Sequence, residues 1–138
     1  MTFAPRVIAF CCNWCAYAGA DLAGISRNQY APEIRIIRVM CSGRVDPAMV
    51  LKCLQRGADG VMVLGCHPGD CHYLNGNLEA ERRMKEAARL MELLGIDSRR
   101  LMLRWISASE GELFARTADE FVQILRALGP LRRVEDER

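Results

Sequence analysis

Three apolar, β-rich runs decide the reading: Val7-Ile8-Ala9-Phe10-Cys11-Cys12, Ile34-Arg35-Ile36-Ile37-Arg38-Val39-Met40-Cys41 and Val61-Met62-Val63-Leu64-Gly65-Cys66. Each ends in cysteine. If helices separate the runs, the strands are parallel and their carboxyl ends lie along one edge of a sheet, where open α/β folds place their ligands. The thiols of Cys12, Cys41 and Cys66, remote in sequence, then share one site. Cys15 follows Cys12 in a C-x-x-C spacing and Cys71 follows Cys66 in C-x4-C. Five thiols can therefore converge on that edge, which points to a bound metal or an iron-sulfur centre.

The intervening sequence supplies helices. Trp14 to Asn28 reads as a helix rich in small residues, Ala16, Ala18, Gly19, Ala20 and Ala23, which permit close approach to a sheet or cofactor. Asp46 is placed as an N-cap with Pro47 at the first helical position. Val50, Leu51 and Leu54 give that helix an inward face, Gly57 ends it, and Cys53 within it reads as a small packing residue. After Cys66, the sequence His67-Pro68-Gly69-Asp70-Cys71-His72 forms a loop that can fold back over the strand end. A longer helix is predicted over about Asn77 to Leu94, then a fourth strand over Leu101 to Ile106. Ser109 and Glu112 fit a capping box, and the last helix, bearing Phe114, Phe121, Leu125 and Leu128, stops at Gly129-Pro130. Strand-helix alternation without repeats gives the fold class: α/β, a single-domain parallel sheet of about four strands with helices on both faces and cysteines at the carboxyl ends. The domain is assigned to residues 1–130 and a charged C-terminal tail to 131–138.

Composition narrows the function. The chain has 138 residues, 51% of them hydrophobic, enough for one ordinary core. Its 19 basic against 17 acidic residues leave little net field to attract nucleic acid or an anionic membrane. No run approaches the roughly 18 to 20 apolar residues of a bilayer span, and no export signal is recognisable. The expected location is the cytoplasm. Seven cysteines, an odd count, fit a reducing compartment in which thiols bind metal or do redox chemistry better than a secreted disulfide framework.

Thiolates suit zinc and iron-sulfur clusters alike, so the surroundings must discriminate. Structural zinc sites bring ligands in close pairs on short hairpins, whereas Cys12, Cys41 and Cys66 stand on separate strands of a domain with its own core. A redox centre at the sheet edge is the better reading. The competing one is a thiol-disulfide or zinc-binding protein using Cys12 and Cys15, since a helix start lowers thiol pKa; it leaves Cys41, Cys66 and Cys71 without a role. His67 and His72 each follow a candidate thiol and are read as hydrogen-bonding partners of the site rather than ligands. Arg44 is placed beside the strand-end glycine, where its charge could stabilise an anionic cluster. There is no dinucleotide or phosphate-binding glycine loop and no Gly-x-Ser-x-Gly elbow.

Five segments in order carry a resemblance: Phe10-Cys11-Cys12-Asn13-Trp14-Cys15, Tyr17-Ala18-Gly19-Ala20-Asp21, Val39-Met40-Cys41-Ser42-Gly43-Arg44, Gly65-Cys66-His67-Pro68-Gly69-Asp70-Cys71-His72-Tyr73 and Trp105-Ile106-Ser107-Ala108-Ser109-Glu110-Gly111-Glu112. Together they resemble the delta subunit of methyl-viologen-reducing hydrogenase, the iron-sulfur subunit associated with heterodisulfide reductase, over roughly Arg6 to Pro130. The resemblance implies one 2Fe-2S cluster passing electrons between a hydrogenase or formate dehydrogenase module and the flavin subunit of a heterodisulfide reductase. It also implies Cys12, Cys15, Cys41, Cys66 and Cys71 as the family's cysteines. Cys11 stands where a small residue is expected, and Ala16 where some members have another cysteine. A 2Fe-2S cluster takes four protein ligands, so one of the five is spare. Cys12, Cys41 and Cys66 come first, Cys71 next and Cys15 last; the alternative puts Cys12 and Cys15 on one iron with Cys71 spare.

Overall fold

The computed structural model describes residues 3–12, 34–65, 67, 76–107 and 109–131. Within them β1 (Val7–Cys12), β2 (Ile34–Val39), β3 (Gly60–Gly65) and β4 (Leu101–Trp105) form one parallel sheet in the order β2-β1-β3-β4. Three α-helices accompany it among the described residues: α1 (Pro47–Gln55), α2 (Gly76–Leu93) and α3 (Gly111–Leu128). The predicted fold class is the observed one. The helix expected over Trp14 to Asn28 and the tail beyond Leu131 lie outside the described residues.

Period-2 alternation along the strands feeds two cores. Val7, Ala9 and Cys11 of β1, with Met62 and Leu64 of β3, pack with Phe114, Phe121 and Leu125 of α3. On the other face Phe10, Val61 and Val63 meet Val50 and Leu54 of α1 and Met84, Ala87 and Met91 of α2. Every residue of β3 is buried, as an apolar strand covered on both faces requires. A Cβ added at Gly60 would lie 2.6 Å from Leu125 Cδ1 and 2.8 Å from Phe121 Cζ, so the α3 side chains packed there would have to shift.

Local signals explain most boundaries. Asp46 Oδ1 accepts from Met49 N at 2.9 Å and Pro47 opens α1, as the sequence predicts. Gly57, at φ 129°, follows the end of α1, and Gly129, at φ 79°, follows α3 with its N–H donating to Leu125 O. Two boundaries differ from expectation. β2 stops at Val39 because its ladder partner stops at Cys12, the residue paired with Val39, so Cys41 lies past the ladder and opens a 3₁₀ turn over Ser42–Arg44. The capping box at α3 does not form: Glu110 occupies the cap position, and no side chain caps the helix.

The amino end of the sheet is closed by buried polar groups. The Asp59 carboxylate accepts from Arg6 N at 2.9 Å and Leu131 N at 3.2 Å. Buried Arg100 donates to Asp59 O at 3.0 Å and to Gly129 O at 2.8 Å, tying β3 to the end of α3. Removing the carboxylate strands two backbone donors, at about 1 to 3 kcal/mol each for any that water does not reach. Asp59→Ala is expected to lower the denaturant midpoint by an amount equivalent to about 2 to 4 kcal/mol; an unchanged midpoint would show that the closure contributes nothing.

Candidate metal centre

Parallel pairing brings the carboxyl ends of three strands together, and β1 lies between β2 and β3. The chain leaves β1 for β2 on one side and later returns to β3 on the other, so the crevice beyond β1 and β3 is a topological switch point. Cys12 is the last residue of β1, and its neighbour Cys11 is level with Leu64 of β3. Cys41 follows β2 after one intervening residue. Cys66 follows Gly65, the last residue of β3, in the chain. Cys66, Cys15 and Cys71 themselves lie outside the described residues.

The two candidate thiols that are described are both buried, Cys12 at 1% exposure and Cys41 at 5%. Cys12 Sγ lies 4.0 Å from Met40 O, on the segment that leads into Cys41. Water is thus largely excluded from the β1 and β2 ends of the site. Next to Cys41, buried Ser42 packs against β3: a Cβ added at Gly65 would fall 2.6 Å from Ser42 Oγ and 3.1 Å from Trp105 Cζ3. A glycine at the end of β3 therefore lets the Cys41 turn and the β4 end close over the strand that leads into Cys66. Arg44 ends the same 3₁₀ turn and is exposed.

The remaining thiols separate cleanly. Cys11 is fully buried in the core under α3, and burial, followed by the neighbouring Cys12, pushes its pKa up to about 12. It is a neutral packing residue at physiological pH. Cys53 is half-buried on α1 against the opposite core, with its pKa raised by burial. Its place agrees with the packing role read from sequence.

Glu110 belongs to this edge without any motif to announce it. Its carboxylate accepts from Ser107 N at 2.8 Å and pairs with His67 Nε2, linking the β4 end to the residue after Cys66. The His67 hydrogen bond, then the Ser107 N–H, holds the Glu110 pKa below the usual carboxylate range, so it is an anion at neutral pH. Helix-start signals around it mask this role: a glutamate beside Ser109 and Glu112 reads as part of a cap, and nothing in sequence spacing couples residues 43 apart.

Chemically, buried thiols at the end of β1 and on the turn just past β2 suit a soft metal centre, and the donor type fits an iron-sulfur cluster. Among the described residues no three metal-ligating side chains come together, and Cys12 and Cys41 are two of the five expected. No described helix is long and apolar enough to cross a membrane.

Known proteins share this sequence pattern. The profile of the methyl-viologen-reducing hydrogenase delta subunit matches residues 7–129. The chain is 52% identical over 126 residues to the vhc iron-sulfur subunit of the F420-non-reducing hydrogenase of Methanococcus voltae, covering 91% of this chain and 88% of that one. It is 48% identical over 128 residues to the iron-sulfur subunit of the F420-non-reducing hydrogenase of Archaeoglobus profundus, covering 93% of each. It is also 50% identical over 127 residues to a subunit of the ferredoxin:CoB-CoM heterodisulfide reductase of Methanosarcina mazei, covering 92% of this chain but only 16% of that longer protein. The chain belongs to the family of methyl-viologen-reducing hydrogenase delta subunits.

Proposed function

We propose that this chain holds one 2Fe-2S cluster on four of Cys12, Cys15, Cys41, Cys66 and Cys71. In this reading it relays electrons between a hydrogenase or formate dehydrogenase module and the flavin subunit of a heterodisulfide reductase. The observation that carries the reading is the burial of Cys12 and Cys41 at the carboxyl ends of adjacent parallel strands. Bound there, the cluster supplies a one-electron carrier. The protein's own part is to hold thiolates at and just past the strand ends, to keep water from Cys12 and Cys41, and to set the electrostatics with the anionic Glu110.

The Methanosarcina relative supports the partner. There a stretch 50% identical to this chain is built into a heterodisulfide reductase polypeptide, so in that protein the two modules are covalently joined. In this reading the chain docks on the heterodisulfide reductase flavin subunit much as that module is joined to its own polypeptide. Thiol-disulfide exchange through Cys12 and Cys15 is less well served, because an exchanging thiol must be reached by its partner and Cys12 is buried.

Two experiments follow. Cys41→Ser is expected to abolish or strongly shift the electron paramagnetic resonance signal of the reduced protein, whereas Cys53→Ser keeps it and costs about 1 kcal/mol of stability. An unchanged spectrum and full iron in Cys41→Ser would remove Cys41 from the ligand set. For the relay itself, donor and flavin subunits are mixed with and without this chain and flavin reduction is followed anaerobically. Reduction is expected only when the chain is present; equal rates without it would refute the relay.

A further inference from the structure

A groove of about 910 Å3 opens between α1 and the β1 and β2 strands, toward the end of the sheet opposite the carboxyl edge. Arg6, Arg35, Lys52 and Arg56 line it, and the partly buried Ile8 and Met49 contribute apolar floor. The four cations come from three places: the approach to β1, the edge strand β2 and the C-terminal end of α1. Lys52 and Arg56 also complement the α1 dipole, but Arg6 and Arg35 have no such reason to be there.

Their pairing sets them apart from the basic residues of the solvated face of α2. On α2, Arg82, Arg83 and Lys85 pair with Glu79, Glu86 and Glu81 of their own helix. Among the described residues no carboxylate forms an ion pair with Arg6, Arg35, Lys52 or Arg56. Asp59 and Asp46, which flank this region in the chain, are already used: Asp59 accepts from two backbone N–H groups and Asp46 caps α1. Concentrated positive charge over an apolar floor, on a chain whose net charge is only +2, is a local feature and not a general basicity.

We propose that this groove docks an acidic amphipathic segment of a partner protein in the hydrogenase and heterodisulfide reductase assembly. Carboxylates on the segment would meet the four cations while its apolar side covers Ile8 and Met49. A nucleic acid would meet the charge but leave the apolar floor uncovered. The inference rests on the reading of the chain as a relay in a complex, and it gives the relay an anchor remote from the cysteine-bearing edge. Docking and electron exchange then use different surfaces.

The test uses the full chain with its purified hydrogenase and heterodisulfide reductase type partners, comparing wild type with Arg35→Glu/Lys52→Glu. Both substituted side chains are exposed, so the fold is retained. Binding is measured at about 50 and about 300 mM salt, spanning a severalfold range of charge screening. Wild-type affinity is expected to fall steeply with salt, and the double variant to bind at least about tenfold more weakly at low salt with little salt dependence. Equal binding by the variant overturns the proposal. A chain truncated after Leu131 tests the other acidic candidate, Glu135-Asp136-Glu137 of this chain's own tail. Unchanged or tighter binding of the truncated chain supports a partner segment; a loss equal to that of the double variant, and not additive with it, overturns it in favour of the tail. The cluster signal is read on the same samples. A normal signal with unaltered binding by the variant defeats the docking inference alone, and an absent signal with charge-dependent binding defeats the relay reading alone.

Discussion

The parallel ladder that holds β1 between β2 and β3 is the constraint on which the rest of the molecule depends. Cys12 pairs in register with Val39, and Cys11 with Leu64, so the ends of β1, β2 and β3 are level to within a residue or two. Antiparallel pairing of any of these strands would send its cysteine to the other end of the sheet. Parallel pairing needs long crossovers and buries both faces of its central strands, and the sequence meets that demand with continuous apolar runs in β1 and β3 and helices on either side. The candidate site is thus a by-product of topology: Cys12 and Cys41, distant in the chain, come to one edge because of strand direction rather than local sequence.

The two ends of the sheet are treated differently. At the amino end, Asp59 and Arg100 satisfy backbone donors and acceptors that would otherwise be buried unpaired, and they tie the start of β1 and the end of α3 to β3. That end is closed by hydrogen bonds with defined geometry. At the carboxyl end, close packing and thiols stand beside the hydrogen bonds of Glu110 to His67 and Ser107: Gly65 admits Ser42 and Trp105 against the strand, and the thiols of Cys12 and Cys41 are buried. An edge built from packing and thiols has spare ligand capacity, whereas one built from satisfied polar groups has none.

Much of this is legible in the sequence. Apolar β-rich runs, the Asp46-Pro47 helix start and the Gly129 stop each express a local rule, and the structure obeys them. The end of β2 is harder to place because Met40 and Cys41 continue the apolar pattern after the ladder has run out of partner at Cys12. Glu110 is illegible for a different reason. Its carboxylate serves His67 and Ser107, a connection across two loops that no periodicity announces, and its neighbours imitate a helix cap. Local signals mark where elements begin; which side chains meet across the strand ends is decided by the fold.

Mössbauer spectroscopy of iron-57-enriched protein isolated anaerobically tests the proposed cluster most directly, because it reads iron number, valence and ligand type together. About two tetrahedral, sulfur-coordinated ferric sites per chain are expected, coupled to a diamagnetic pair, with one electron localising on one iron upon reduction. Stoichiometric zinc with no iron, or a single uncoupled iron site, would contradict it.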